Sequence, residues 1–239
     1  MKNTLGIIGG SGFLEGAGLD DSRETRVLTD RGEVTLLTGD GYAYLLRHGH
    51  GVYHPPHRIP HHAHVLAFEQ LGVTEAVGLN SVGSLSPDLL PGAVVVSDDY
   101  LSAHPPPTFA GDEKLHIVPT LSAKLRELLL AAARSTEGEI RDGGVYVETR
   151  GPRFETPAEV RFLAPHGDVI GMTAASEATL FVERGLSYAM LGIVDNLANG
   201  LDAEPLTYEA YERQLKLNEE RGRAILRAII RLHRERELS

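Results

Sequence analysis

The residues best suited to chemistry lie in short clusters, most of them at the end of an apolar run. Gly151-Pro152-Arg153-Phe154-Glu155-Thr156 sets a rigid turn, an aromatic face and a carboxylate directly ahead of a helix start. Thr156-Pro157-Ala158-Glu159 reads as a capping box with proline at the first helical position. Glu155 is therefore carried on a fixed backbone and can accept a hydrogen bond at a defined place. Arg47-His48-Gly49 puts a guanidinium beside an imidazole, a combination suited to phosphate or equally to an exposed surface pair. Gly9-Gly10-Ser11-Gly12 closes the apolar run Leu5–Ile8, the usual way to bring backbone N–H groups against an anion. Asn80-Ser81-Val82-Gly83-Ser84 and Gly171-Met172-Thr173 add hydroxyls at two further strand ends, and Asp195-Asn196 closes the last one.

Two other chemistries are open at this point. The glycine turn resembles part of a dinucleotide-binding fingerprint, which would make the chain a dinucleotide-dependent oxidoreductase. After Gly10-x-Gly12, however, the next glycine is Gly16 rather than residue 15, and no clear amphipathic helix follows. An acidic ribose ligand is also poorly placed, because Glu33 falls ahead of Val34–Leu37 rather than at that strand's end. The second is metal binding, since seven of the eleven histidines fall between His48 and His64. Pro55, Pro56 and Pro60 interrupt that segment, and the carboxylates of a dinuclear hydrolase site are missing from it. Solvated or interface histidines are expected there, and no metal.

The composition narrows the setting. A chain of 239 residues with 42% hydrophobic content fits one α/β domain with a substantial core. Net charge is −10, with cations interspersed among acids, which argues against a nucleic-acid partner. The absence of cysteine removes thiolate nucleophiles, disulfides and cysteine zinc sites. No apolar run approaches the ~20 residues that span a bilayer, and the N-terminus lacks a secretory pattern. A soluble cytoplasmic protein is expected, with no membrane partner.

The elements that must position these clusters follow from periodicity. Val34–Leu37 and Tyr42–Leu46 read as neighbouring strands joined by Thr38–Gly41, whereas Leu19–Thr29 is polar and assigns poorly. Val65–Leu71 reads as a helix stopped by Gly72, and Leu121–Ser135 as an amphipathic helix. Ala76–Leu79, Val94–Val96, Gly143–Val147, Asp168–Thr173 and Tyr188–Val194 read as strands, with a helix over about Ala174–Arg184. Tyr208–Leu238 is one long amphipathic helix with Gly222 as a point of interruption. Strands alternating with helices predict an α/β fold, a single-domain three-layer α/β/α sandwich around a mixed central sheet.

Taken together, these six clusters resemble the trimeric purine nucleoside phosphorylase and methylthioadenosine phosphorylase family, in the family's order and across about residues 5–215. The resemblance implies one nucleoside phosphorylase domain over residues 1–239. In the implied reaction of purine salvage, inorganic phosphate displaces a purine from C1′ of a nucleoside. It needs no metal or organic cofactor, with phosphate as co-substrate, and the enzyme is a homotrimer or a hexamer of trimers. Phosphate is already an anionic nucleophile, so the protein must position it rather than activate it, while the departing base needs stabilisation at N7 or O6. By the same match phosphate is held by Ser11, Arg47, His48, Ser81 and Thr173, with Asn80 contributing its backbone N–H. Met172 packs on the ribose. The base and sugar contacts are Phe154, Glu155, Asn196, Leu197, Ala198 and Tyr208, with His116 reaching a neighbouring subunit's site. Asn196, Glu155 and His48 would carry the catalysis.

The base pocket divides the family. Members acting on 6-oxopurine nucleosides carry Phe-Glu-Thr and a late asparagine, and those acting on methylthioadenosine usually carry Phe-Ser and an aspartate. This chain reads Phe154-Glu155-Thr156, and an ungapped match puts Asn196 at the second place. An oxopurine has a donor at N1–H that ionised Glu155 can accept, and Asn196 can donate to O6 or N7. Asp195 is a complication, because a one-residue slip would bring it to the base and revive an aminopurine reading. Glu155 argues against the slip. Tyr208 stands where the family selects the 5′ group, and it is neither the histidine of nucleoside phosphorylases nor the apolar residue of methylthio enzymes. The expectation is therefore a 6-oxopurine nucleoside phosphorylase specified by Glu155, Asn196 and Tyr208. Methylthioinosine phosphorylase is the nearest alternative and methylthioadenosine phosphorylase the next.

Overall fold

The computed structural model describes residues 4–11, 13, 19, 21–112 and 114–238. Its elements are, in order, β1 (Leu5–Gly9), β2 (Arg23–Thr29), β3 (Gly32–Gly39), β4 (Tyr42–Leu46), α1 (His61–Gln70), β5 (Glu75–Ser84), β6 (Val94–Val96), β7 (Asp99–Ser102) and α2 (Ala123–Arg134). Then come β8 (Ile140–Asp142), β9 (Val145–Glu148), α3 (Pro157–Leu163), β10 (Val169–Gly171), α4 (Ala174–Glu183), β11 (Ser187–Leu197) and α5 (Tyr208–Arg236). The strands form one sheet in the order β2-β3-β4-β1-β5-β10-β9-β7, with β11 against β5 and β6 and β8 beyond it.

The sheet is mixed. β4, β1, β5 and β11 run parallel, whereas β2, β3 and β4 form an antiparallel meander and β10 runs antiparallel to β5. Every residue of β1 is buried, as a strand covered on both faces must be. α1 and α4 cover one face, where Phe181 stacks on Tyr188 at 5.2 Å between ring centres and approaches Phe68 at 5.9 Å. α2 and α5 cover the other through Leu125, Leu129, Ile225 and Ile229. These are the three layers expected of the sequence.

Several elements depart from the sequence reading, among them the short strands β7 and β8, which it does not contain. The polar stretch after Leu19 contains β2, an edge strand exposed along most of its length, so it lacks the apolar signature of a buried strand. α1 starts at His61 rather than Val65, with Pro60 as its N-cap, and so takes in three histidines. α5 continues through Gly222, which is buried along the helix. Among the described residues no helix is long and apolar enough to cross a membrane.

What positions the site is a break in pairing along β5. Residues 75–79 pair with β1 and 83–84 with β10, so the edge between those partners is left open at Asn80–Val82. The carboxyl ends of β1, β4 and β11 come to the same place, where ligands collect in open α/β sheets.

Candidate active site

A cavity of about 220 Å³ opens at that break. On one side Ser11, Arg47, His48, Asn80, Ser81 and Thr173 line the wall. Gly10 lets the guanidinium approach, since a Cβ there would lie 2.2 Å from Arg47 Nη1. Arg47 is fully buried and partly committed. Its Nε and Nη2 donate to the two oxygens of Glu177 at 2.6 and 3.0 Å, and Nη1 donates to the Leu79 carbonyl at 2.8 Å. Of five N–H groups this leaves one on each Nη for a ligand. His48 makes a hydrogen bond of 2.9 Å between Nδ1 and the His54 carbonyl, which places the proton on Nδ1 and leaves Nε2 as an acceptor. Thr173 Oγ1 donates to Asn80 Oδ1 at 3.5 Å, while Asn80 Nδ2 is spent on the Gly78 and Leu191 carbonyls.

On the opposite wall stand Phe154, Glu155, Met172, Asn196 and Ala198. Glu155 Oε1 accepts from Thr149 Oγ1 at 2.5 Å, and its backbone carbonyl accepts from Asn199 at 2.9 Å. The capping box is present: Thr156 N donates to Glu159 at 2.7 Å and Glu159 N to Thr156 Oγ1 at 3.2 Å. Arg153 is turned outward onto the same Glu159, with both contacts at 2.8 Å. Gly151 has φ +62, and a Cβ there would lie 2.5 Å from Met172 Sδ, so glycine is required both by backbone and by space.

β11 decides between Asp195 and Asn196. Its pairing with β5 steps from Val194↔Val82 to Asn196↔Gly83, so Asp195 is the extra residue of a bulge. Asn196 faces the cavity across Gly83, where a Cβ would stand 3.2 Å from its Nδ2. Asp195 is turned the other way, 4% exposed, and accepts from Asn218 Nδ2 at 2.7 Å and from the Ser81 hydroxyl. Alternation explains the neighbours as well: Ala198 shares the cavity with Asn196, and Leu197 does not reach it.

The phosphorylase superfamily model matches residues 4–231. The chain belongs to that superfamily. A probable 6-oxopurine nucleoside phosphorylase of Archaeoglobus fulgidus is 38% identical over 90% of each chain. A probable S-methyl-5′-thioinosine phosphorylase of Methanopyrus kandleri is 40% identical over 83% of this chain and 80% of its own. Among solved structures, the methylthioadenosine phosphorylase of Schistosoma mansoni in complex with adenine superposes with a TM-score of 0.85 at 28% identity, covering 97% of this chain and 92% of its own.

In this phosphorylase the cavity also recruits residues that periodicity and motif do not single out. Tyr211, one turn into α5, stands edge-on to Phe154 at 5.6 Å and brings its hydroxyl to 3.2 Å from Ser81 Oγ. Tyr53 stacks on His48 at 5.4 Å, and Leu206 joins Tyr208 at the mouth. The spacing of Tyr208 and Tyr211, three residues apart on a helix start, is the one signal that could have flagged the second. Glu177 gave no signal, as it lies 130 residues from the arginine it holds. His116 is exposed and outside this cavity.

Electrostatics follow burial. Burial works against the Arg47 charge, but Glu177 outweighs it and holds the guanidinium above its ordinary value. Burial likewise opposes Glu177 ionisation, and Arg47 with its hydrogen bonds keeps that carboxyl below the usual range. His48 is pushed down, first by burial, which favours its neutral form. The histidine run needs correction. His61 and His64 are buried rather than solvated, because the first turn of α1 packs inward, and among the described residues their Nδ1 atoms have no hydrogen-bond partner. Asp195 is pushed up to about 6 by burial, against the pull of Ser81 and Asn218.

Proposed function

We propose that this chain is a 6-oxopurine nucleoside phosphorylase, converting inosine- and guanosine-type nucleosides and phosphate to free purine and ribose 1-phosphate. The observation that carries the reading is that Glu155 and Asn196 face one cavity while Asp195 is bonded away from it. An oxopurine offers N1–H to Glu155 and takes a hydrogen bond at O6 or N7 from Asn196. An aminopurine would set its N1 lone pair against the carboxylate, a mismatch costing about 1–3 kcal/mol or more for a charged group. Phe154 gives the base a face and Met172 covers the sugar.

In the step itself the C1′–N9 bond breaks and its electron pair leaves with the purine. A phosphate oxygen forms the new bond to C1′. Positive charge on the sugar peaks between them, so an anion held on the far side stabilises it. The two uncommitted Arg47 N–H groups and Ser11 are the donors for that anion, and Thr173, whose hydroxyl proton goes to Asn80, packs beside it. Neutral His48, with Nε2 as an acceptor, takes a hydrogen bond from the hydroxyl of a hydrogen phosphate and so fixes its orientation. Asn196 stabilises the charge arriving on the base. The reaction takes phosphate as co-substrate and no metal or organic cofactor. The assembly is a homotrimer or hexamer, in which exposed His116 serves a neighbouring site, and the setting is cytoplasmic purine salvage.

A second reading concerns only the 5′ group. Tyr208, Tyr211 and Leu206 make the mouth largely apolar, which favours a methylthio substituent as much as a hydroxyl and keeps S-methyl-5′-thioinosine as a substrate. Crystals soaked with phosphate and hypoxanthine test the base reading. Purine N1 within hydrogen-bond distance of Glu155 supports it; a base that meets Asp195 instead of Asn196 refutes it.

A further inference from the structure

Asp195 is a buried carboxylate beside the cavity that the proposed reaction does not use. Its hydrogen bonds fix the direction of a chain of polar groups. Gln214 Nε2 donates to Asn218 Oδ1 at 3.2 Å, so Asn218 must present its amide protons to the Val194 carbonyl at 3.0 Å and to Asp195 at 2.7 Å. Asp195 also takes the single proton of the Ser81 hydroxyl. Ser81 Oγ then has only lone pairs left for Tyr211, 3.2 Å away, and for whatever enters the cavity.

We infer that Asp195 is a positioning residue that makes Ser81 a hydrogen-bond acceptor, so that Ser81 takes a sugar hydroxyl rather than a phosphate oxygen. This rests on the phosphorylase reading and corrects the assignment of the Ser81 side chain to the anion, since lone pairs facing a phosphate oxygen repel it. A proton on Asp195 reverses the chain. The acid then donates to Ser81, and Ser81 is free to donate to an anion. The reversal falls in reach of ordinary buffers because burial raises this carboxyl to about 6.

The titratable groups around this chain are few. From α5 the Tyr211 phenol faces Ser81, and it is pushed up by burial. Across the cavity are Arg47, charged throughout, and His48, held low. His48 also gains a proton in acid, so anion binding by wild type alone does not isolate Asp195, and variants are needed.

The test is calorimetric binding of sulfate, which keeps one charge state over the range, to wild type, Asp195→Asn and Ser81→Ala. Asn at 195 imitates the protonated acid, with its oxygen toward Asn218 and its NH₂ toward Ser81. At about pH 8 Asp195→Asn binds sulfate about three- to tenfold more tightly than wild type, the effect of one hydrogen bond. Ser81→Ala supplies a check if the first variant folds poorly: it loses about three- to tenfold in affinity against wild type near pH 5 and much less near pH 8. Equal sulfate affinity of wild type and Asp195→Asn at the higher pH overturns the inference, as does a Ser81→Ala deficit that does not change with pH. Turnover is measured separately. If sulfate binding behaves as stated but no nucleoside is phosphorolysed, the functional reading fails and the Asp195 inference is recast as one about anion binding alone.

Discussion

At the scale of single residues, base recognition in the proposed reading is divided between Glu155 as acceptor and Asn196 as donor, and each is held by a neighbour. Thr149 pins the carboxylate, and Gly83 gives the amide room. Replacing Asn196 by Asp removes the donor and faces O6 with an anion. Inosine phosphorolysis is expected to fall about 10- to 100-fold in kcat/KM, the loss of one hydrogen bond to a charged or charging group. Steady-state kinetics check this. Both residues were legible in the chain, because each sits beside a strong local marker: the capping box for Glu155 and the end of a long apolar strand for Asn196. Tyr211 and Glu177 were not legible. Their roles come from α5 and α4 lying across the strand ends, a tertiary fact that no local spacing carries. Ser81 was legible as a cavity residue, but the direction of its proton was not, since it donates to Asp195, which Asn218 holds.

At the scale of elements, the start of α3 and the bulge in β11 do the positioning. Thr156→Ala removes the side-chain cap of α3, with an expected loss of about 1 kcal/mol in stability and a weaker hold on Glu155. Urea denaturation reads the first effect, and a rise in KM for inosine the second. The cap, the α2 helix and the central strands were readable because their patterns are local. β2 was not, since an edge strand open to solvent carries no apolar run. The first turn of α1 was missed for a different reason: histidine is polar by composition, yet His61 and His64 are buried.

At the scale of the whole molecule, Arg47 and Glu177 join the Ser11 and His48 side of the cavity to the core under α4, where Tyr188 also donates to Glu177 at 2.6 Å. Glu177→Ala strands a buried guanidinium, and about 3–5 kcal/mol of stability is expected to be lost in chemical denaturation. Asp195 works in the other direction. Its folded value of about 6 lies above the ordinary 3.8, so the native state holds this proton more tightly than the unfolded chain does. The resulting penalty is absent below the lower value and fully present above the higher one. Asp195→Asn should therefore gain on wild type as pH rises from about 4 to about 7, by up to about 3 kcal/mol, read as the difference between their unfolding free energies. The central claim, that the cavity reads an oxopurine, is tested most directly by phosphate-dependent base release from inosine and adenosine under identical conditions. The geometry predicts a kcat/KM for inosine at least about tenfold above that for adenosine; equal rates, or faster release of adenine, would contradict it.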